Sequence, residues 1–265
     1  MTNIAMTIAG SDSGAGAGIQ ADLKTFSALN VYGTTVITAL TAQNTQGITG
    51  VVAIDAGFVR DQIDAVFDDM KIDAVKIGML GTVATMAAVA AALKVHRPAH
   101  VVVDPVMVSS SGKRLLTPEA IDYMVAHIFP LASLLTPNLD EAAVLLGEDI
   151  VQEQREMEAC AEKITRMGVS SVLLKGGHLK QKQATDVLYD AGQLTHFSAE
   201  RIDTRNTHGT GCTLSAAIAA FLAQGLALPQ AVSQAKTYVT GAIKAADELS
   251  TGEGAGPLNH FWKIK

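Results

Sequence analysis

Three short apolar runs, Val101–Val103, Ser133–Leu135 and Val172–Leu174, limit what this chain can become more than any other feature. Each is too short for a helix, and polar residues follow each one at once. Helical segments from Leu139 and Val151 stand between the second and the third. A strand buried on both faces reads as a continuous apolar run, and strands that alternate with helices join in parallel. The same alternation opens the chain: Asn3–Ala9 is apolar, a glycine-rich turn follows, and a helical stretch reaches about Asn30. Thr34–Thr41 and Ala74–Ile77 read as further strands, and Ala56–Met70 and Val83–His96 as helices, the latter stopped by Pro98. Thr185–Tyr189 and Leu194–Ser198 are joined by Asp190-Ala191-Gly192-Gln193, a hairpin signal that adds an antiparallel segment. From Gly211 the chain is helical, and Pro229 opens a last long helix. No linker, repeat or low-complexity segment interrupts residues 1–265, so one α/β domain is expected.

Composition narrows the partners. The 265 residues can bury a substantial core, and 48% hydrophobic with 17% charged residues is ordinary for a globular protein. A net charge of −6 offers no basic face for nucleic acid. No apolar run reaches membrane-spanning length and no basic leader precedes one, so no membrane partner and a cytoplasmic location are expected. Cys160 and Cys212 lie far apart and form no CxxC pair, which points away from a disulfide framework or a thiolate metal site.

Ligands of open parallel sheets sit beyond the C-terminal strand ends. Gly10-Ser11-Asp12, Gln43-Asn44, Asp104, Asn138 with Glu141, and Lys175-Gly176-Gly177 all fall there. The first glycine turn contains Gly16-Ala17-Gly18-Ile19-Gln20-Ala21, a GxGxxA dinucleotide pattern after a strand. That pattern wants a ribose-binding carboxylate at the end of the second strand, and Ala42-Gln43-Asn44 has none. A nicotinamide oxidoreductase therefore loses its main support. Asp22, one turn into the first helix, is placed to face a ligand; its bland role is a charge favoured by the helix dipole. The second turn, Gly209-Thr210-Gly211-Cys212, offers backbone N–H groups at a helix N-terminus, an anion site. The same positive end should pull the Cys212 thiol pKa down. Packing is the plain alternative, and it suffices for Cys160.

Several stretches in fixed order carry a family resemblance over nearly the whole chain: AGSDSGAGAGIQADLKTF, TALTAQNTQG, KIGML, VDPVMVSSSGKRLL, LTPNLDEA, LLKGGH and DTRNTHGTGCTLSAAIAA. Together they resemble the ribokinase-like superfamily, in its vitamin-kinase branch, the hydroxymethylpyrimidine/phosphomethylpyrimidine kinases of thiamine biosynthesis. The wider superfamily ends its glycine turn in a catalytic Asp; the Cys212 found here is a departure that this branch shares. The resemblance implies a three-layer α/β/α sandwich and phosphorylation of 4-amino-5-hydroxymethyl-2-methylpyrimidine, then of its monophosphate. ATP and Mg2+ are the implied cofactors, with a monovalent-cation requirement open and a homodimer expected.

Residue roles follow from that resemblance. Gln43, with one acceptor beside one donor, would clasp the aminopyrimidine edge. Gly10 and Asp22 would meet its polar side, and Met79 and Val106 would wall it, unless they are ordinary core. Gly209, Thr210, Gly211 and Cys212 would hold the transferring phosphoryl group, with Lys175 neutralising its oxygens, unless Lys175 is a solvated surface lysine. Asp104 and Glu141 would hold magnesium, partly through water, and Asn138 would reach the nucleotide. Asn138 and Glu141 also read as a helix capping box, and the two roles are compatible. Pyridoxal kinase is the rival within the fold, alone or as a second activity; a non-catalytic binding protein is the rival outside it.

Overall fold

The structure is a computed structural model describing residues 2–107, 115–151, 153–177, 179 and 182–264. Part of the VDPVMVSSSGKRLL run and His178 lie outside the described residues. The first half comprises β1 (Ile4–Asp12), α1 (Gly18–Ala28), β2 (Tyr32–Asn44), β3 (Gly47–Ala53), α2 (Ala56–Phe67), β4 (Ala74–Ile77) and α3 (Val83–His96). Then come β5 (Val101–Val103), α4 (Pro118–His127), β6 (Leu134–Leu135), α5 (Leu139–Leu146) and α6 (Gln154–Thr165). The chain closes with β7 (Ser171–Leu174), β8 (Gln183–Asp190), β9 (Gln193–Glu200), α7 (Thr210–Ala223) and α8 (Leu228–Lys244).

The strands form one nine-stranded sheet in the order β3-β2-β1-β4-β5-β6-β7-β8-β9. Strands β2 to β7 along that order pair in parallel, while β3, β8 and β9 pair antiparallel. Side chains alternate across a strand, and that period sorts the core into two. Met6, Ile8, Val101, Val103, Leu135, Val172 and Leu174 face a layer built by Val59 of α2, Met86 of α3, Met124 of α4 and Met157 of α6. Ala5, Val102, Leu134 and Leu173 face Phe26 of α1, Leu214 and Ile218 of α7, and Tyr238 of α8. The expected three-layer sandwich results. Buried Ala216, Ala217, Ala219 and Ala220 keep α7 thin, so it can lie close to the sheet.

Two elements go beyond the sequence pattern. Strand β3 extends the sheet past β2, pairing Gly47 with Asn44 through Ala53 with Ala39. Helix α4 starts at Thr117, whose side chain accepts a bond from the Ala120 N–H (3.3 Å) ahead of Pro118. The hairpin turn is as read: Ala191 and Gly192 both have positive φ (48° and 79°), the geometry whose twist matches paired strands. Strand addition changes direction at β1, which lies between β2 and β4. Such a switch point opens a crevice at the strand ends.

Candidate active site

The first glycine turn is organised by Asp12, at the end of β1. Its Oδ1 accepts from Gly14 N–H (2.8 Å), and its Oδ2 from Gly16 (3.1 Å) and Ala17 (2.9 Å). Burial alone would raise this carboxyl; the bond from His208 and those backbone donors outweigh it and hold it below the usual carboxylate range. A Cβ on Gly10 would lie 2.5 Å from Met79 Cε, so the glycine lets Met79 lie across the turn. Met79 and Val106 are half-buried and stand outside both core clusters, so neither is ordinary core.

The second turn presses against the first. Gly209 has φ 83°, and a Cβ there would come within 1.8 Å of the Gly16 carbonyl oxygen. Here the glycine serves turn-to-turn contact more than approach to an anion. Gly211 faces the other way: a Cβ on it would be 3.3 Å from Lys175 Nζ and 3.4 Å from Asp104 Oδ2. Thr210 donates its N–H (3.2 Å) and its hydroxyl (2.7 Å) to the Thr207 carbonyl, which closes the turn. Gly211 and Cys212 remain as first-turn N–H donors of α7, groups that have no partner inside a helix.

Beneath Gly211 lies a charge cluster. Lys175 Nζ meets Asp104 Oδ1 at 2.8 Å, and the Thr136 hydroxyl donates to the same oxygen at 3.2 Å. Lys175 is therefore no solvated surface lysine: against the effect of burial, Asp104 and Glu141 hold its ammonium above the ordinary value. Asn138 and Glu141 do form the capping box, each backbone N–H donating 2.8 Å to the other's side chain. Burial first, and the charge of Asp104 after it, push the Glu141 carboxyl up to about 7, with Lys175 opposing. Two buried carboxylates that repel each other fit a hard divalent cation. Among the described residues no cluster of three His, Cys, Asp or Glu exists, so water and phosphate oxygens would complete such a site.

Two expectations are corrected. Asp22 does not line the crevice: it is fully buried, with Oδ2 bound by Lys76 Nζ (2.8 Å) and the Thr7 hydroxyl (2.6 Å). Its face of α1 points into the sheet, where Lys76 of β4, equally buried, needs a counter-charge. Asp22 Oδ1 has no partner among the described residues. The Cys212 thiol is not depressed. Burial pushes it up to about 11, the Asp22 and Asp104 charges add to that, and Lys76 and the Gly18 N–H oppose it. Burial and the two carboxylates outweigh Lys76 and the Gly18 N–H.

Sequence pattern alone passes over four participants, Lys76, His208, Asp186 and Lys236, and puts Asp12 at a strand end without a role. Asp186 of β8 accepts from Gly176 N–H (3.0 Å) and Lys236 of α8 (2.6 Å), tying the turn after Lys175 to α8. His208 Nε2 lies 3.0 Å from Asp12 Oδ2 and 3.2 Å from Gln43 Nε2, bridging the two glycine turns and β2. These partners are 196 and 165 residues away, so no local spacing announces them.

A helix N-terminus, a lysine and two carboxylates converging beyond the ends of β5, β6 and β7 are the equipment of a phosphotransferase. The sequence profile of the phosphomethylpyrimidine kinase family matches residues 12–259, and the chain belongs to that family. It is 55% identical to the hydroxymethylpyrimidine/phosphomethylpyrimidine kinase of Rhizobium meliloti, over 99% of this chain and 100% of that protein. A crystal structure of Bacillus subtilis pyridoxal kinase with ADP superposes with a TM-score of 0.92 at 40% identity, covering 100% of both chains. The phosphomethylpyrimidine kinase of Clostridium difficile gives a TM-score of 0.81 at 42% identity, covering 91% of this chain and 99% of that one.

Proposed function

We propose that this chain transfers the terminal phosphoryl group of ATP to the hydroxymethyl oxygen of 4-amino-5-hydroxymethyl-2-methylpyrimidine, and then phosphorylates the monophosphate to the diphosphate. The observation that carries the phosphoryl-transfer part is Gly211 facing both Lys175 Nζ and Asp104 Oδ2. There the substrate oxygen bonds to the phosphorus, the bridging oxygen leaves with ADP, and the alcohol proton is released. Lys175 and the Gly211 and Cys212 N–H groups neutralise charge on the moving phosphoryl group, which is most of what this chemistry needs. Asp104 and Glu141 would hold Mg2+, with Lys175 on Asp104 Oδ1. The metal would supply charge neutralisation between the phosphates.

The substrate half rests on Gln43, half-buried on β2 beside the turn that Asp12 shapes and in contact with His208 of the second glycine turn. Asp22 serves this half from below, by keeping Lys76 charged beneath the crevice. Pyridoxal is the second reading, favoured by the full-length likeness to the Bacillus enzyme. ATP consumption with the hydroxymethylpyrimidine, its monophosphate and pyridoxal side by side tests both. Turnover of the first two, at least tenfold above pyridoxal in kcat/KM, is expected; turnover of pyridoxal alone would reverse the assignment. Residues 1–265 act as one unit in this proposal, and two copies associate through the β3 edge.

A further inference from the structure

Gln43 lies between two groups whose hydrogens are already committed. On one side, Thr41 Oγ1 is 2.9 Å from the Ser11 carbonyl oxygen and 3.1 Å from Gln43 Oε1. A hydroxyl has one hydrogen, and the Ser11 backbone carbonyl is fixed and can only accept. The Gln43 amide can turn its donor end to Thr41, so both contacts are met only when Ser11 takes the hydrogen. Thr41 then presents lone pairs to Gln43, and an oxygen facing them makes no bond. On the other side, His208 Nε2 is 3.0 Å from Asp12 Oδ2 and 3.2 Å from Gln43 Nε2. The Asp12 carboxylate already collects three backbone N–H donors, and an ionised carboxylate only accepts. His208 Nε2 must therefore carry the hydrogen, and an amide NH2 facing it sets donor against donor. A half-turn of the Gln43 amide repairs both contacts at once, because amide oxygen and nitrogen exchange places at no steric cost. Oε1 then faces the His208 N–H and shares it with Asp12 instead of opposing it with an NH2, and Nε2 donates to Thr41. The two ends demand the same orientation independently.

We propose that Asp12, His208 and Thr41 lock the Gln43 amide in this polarity, and that the lock makes the site select 4-amino over 4-oxo pyrimidines. The inference rests on Gln43 being the pyrimidine contact. Locked, the amide keeps one N–H and one oxygen lone pair for a ligand. A 4-aminopyrimidine answers with ring N3 as acceptor and its amino group as donor. A 4-oxopyrimidine in its N3–H form offers the reverse pair, donor beside acceptor. A free glutamine would serve either by turning over; a locked one opposes the second at both positions. Donor–acceptor reversal at a paired contact is discriminated by on the order of 100-fold.

The test measures kcat/KM for the 4-amino substrate and for 5-hydroxymethyl-2-methylpyrimidin-4(3H)-one in the wild type, Thr41→Val, His208→Phe and Gln43→Ala. The wild type is expected to prefer the amino compound by about 100-fold. Thr41→Val and His208→Phe each remove one side and leave the other, so the preference should fall severalfold in each, and below about tenfold when both are combined, as the oxo compound gains. A merely structural role for Thr41 or His208 lowers both substrates together and leaves the ratio alone. An unchanged ratio in Thr41→Val and His208→Phe, or a wild-type ratio near one, overturns the lock. If His208→Phe does not fold, Thr41→Val decides alone, since it changes one hydroxyl to a methyl on a half-buried strand residue. Gln43→Ala separates the two levels. Loss of the preference there with an unchanged ratio in the lock variants defeats the lock only; an unaltered KM and ratio in Gln43→Ala defeats the reading beneath it.

Discussion

Cys212 shows how a single residue's surroundings can overrule its position in a helix. A helix N-terminus lowers a thiol pKa, yet here burial and the Asp22 and Asp104 charges push it up to about 11. The residue keeps some surface, so water weakens the shift. At pH 7, four units below such a value, only about one molecule in 10⁴ carries the thiolate. Sulfur acting as the base for the alcohol therefore requires the rate to follow that minor form, which grows tenfold per pH unit until the thiol titrates. The first phosphorylation is expected to climb in kcat between pH 7 and pH 9, and Cys212→Ala to flatten the climb and lower the rate by roughly 10²–10⁴. The second step attacks through an oxygen already ionised, so its profile stays flat and its loss is small. Equal losses and two flat profiles would assign Cys212 to its backbone N–H alone.

Among elements, the segment after α8 fixes the second glycine turn from outside the sheet. His208 N–H donates to the Gly256 carbonyl (3.1 Å), and Thr213 Oγ1, on the first turn of α7, lies 3.0 Å from His260 Nε2. The Tyr238 hydroxyl of α8 donates to the His260 carbonyl at 2.7 Å. Burial, with Lys24 nearby, lowers the His260 imidazole to about 4 from 6.5. The unfolded chain therefore binds a proton that the folded one refuses, so stability is intact above pH 6.5 and drains away as pH falls towards 4. Between pH 7 and pH 5 this one group should remove about 2 kcal/mol, read by urea unfolding. His260→Gln should be less stable at pH 7 but lose that much less on acidification; an unchanged slope would mean that His260 is solvated.

Legibility differs at this scale for physical reasons. The β5 and β7 strands are buried on both faces, so their runs announce themselves, and Asp190-Ala191-Gly192-Gln193 announces its turn. Strand β3 has glycines at positions 47 and 50 and largely exposed side chains, so no inward-facing alternation marks it. Helix α4 has a readable start in Thr117-Pro118, but it follows a segment without a periodic pattern. Asp104, Glu141 and Lys175 are legible because strand ends collect them, and so is the place of Asp12; Lys76, His208 and the Asp12–His208 pair are not, because their partners come from distant parts of the chain.

At the scale of the whole molecule, the sheet has two open edges that differ. Strand β9 carries Glu200 and His196, the latter paired with Glu158 at 3.0 Å, and charge discourages a foreign strand. Strand β3, GITGVVA, carries no charge. Val52, 64% exposed, stands opposite Leu40, 46% exposed, and Val51 is exposed on the other face. An uncharged, β-branched edge left in water invites pairing, and natural sheets cover such edges or guard them with lysine or proline. A second copy provides the same strand and an equal apolar pair, which a twofold axis can bring together in one closed contact. Sedimentation equilibrium at micromolar concentration should therefore give twice the 27.6 kDa chain mass. Val52→Lys puts the natural guard on that edge and should return the mass to a single chain, with protection from hydrogen exchange lost along residues 47–53. A wild-type monomer, or a Val52→Lys dimer, would place the association elsewhere or nowhere.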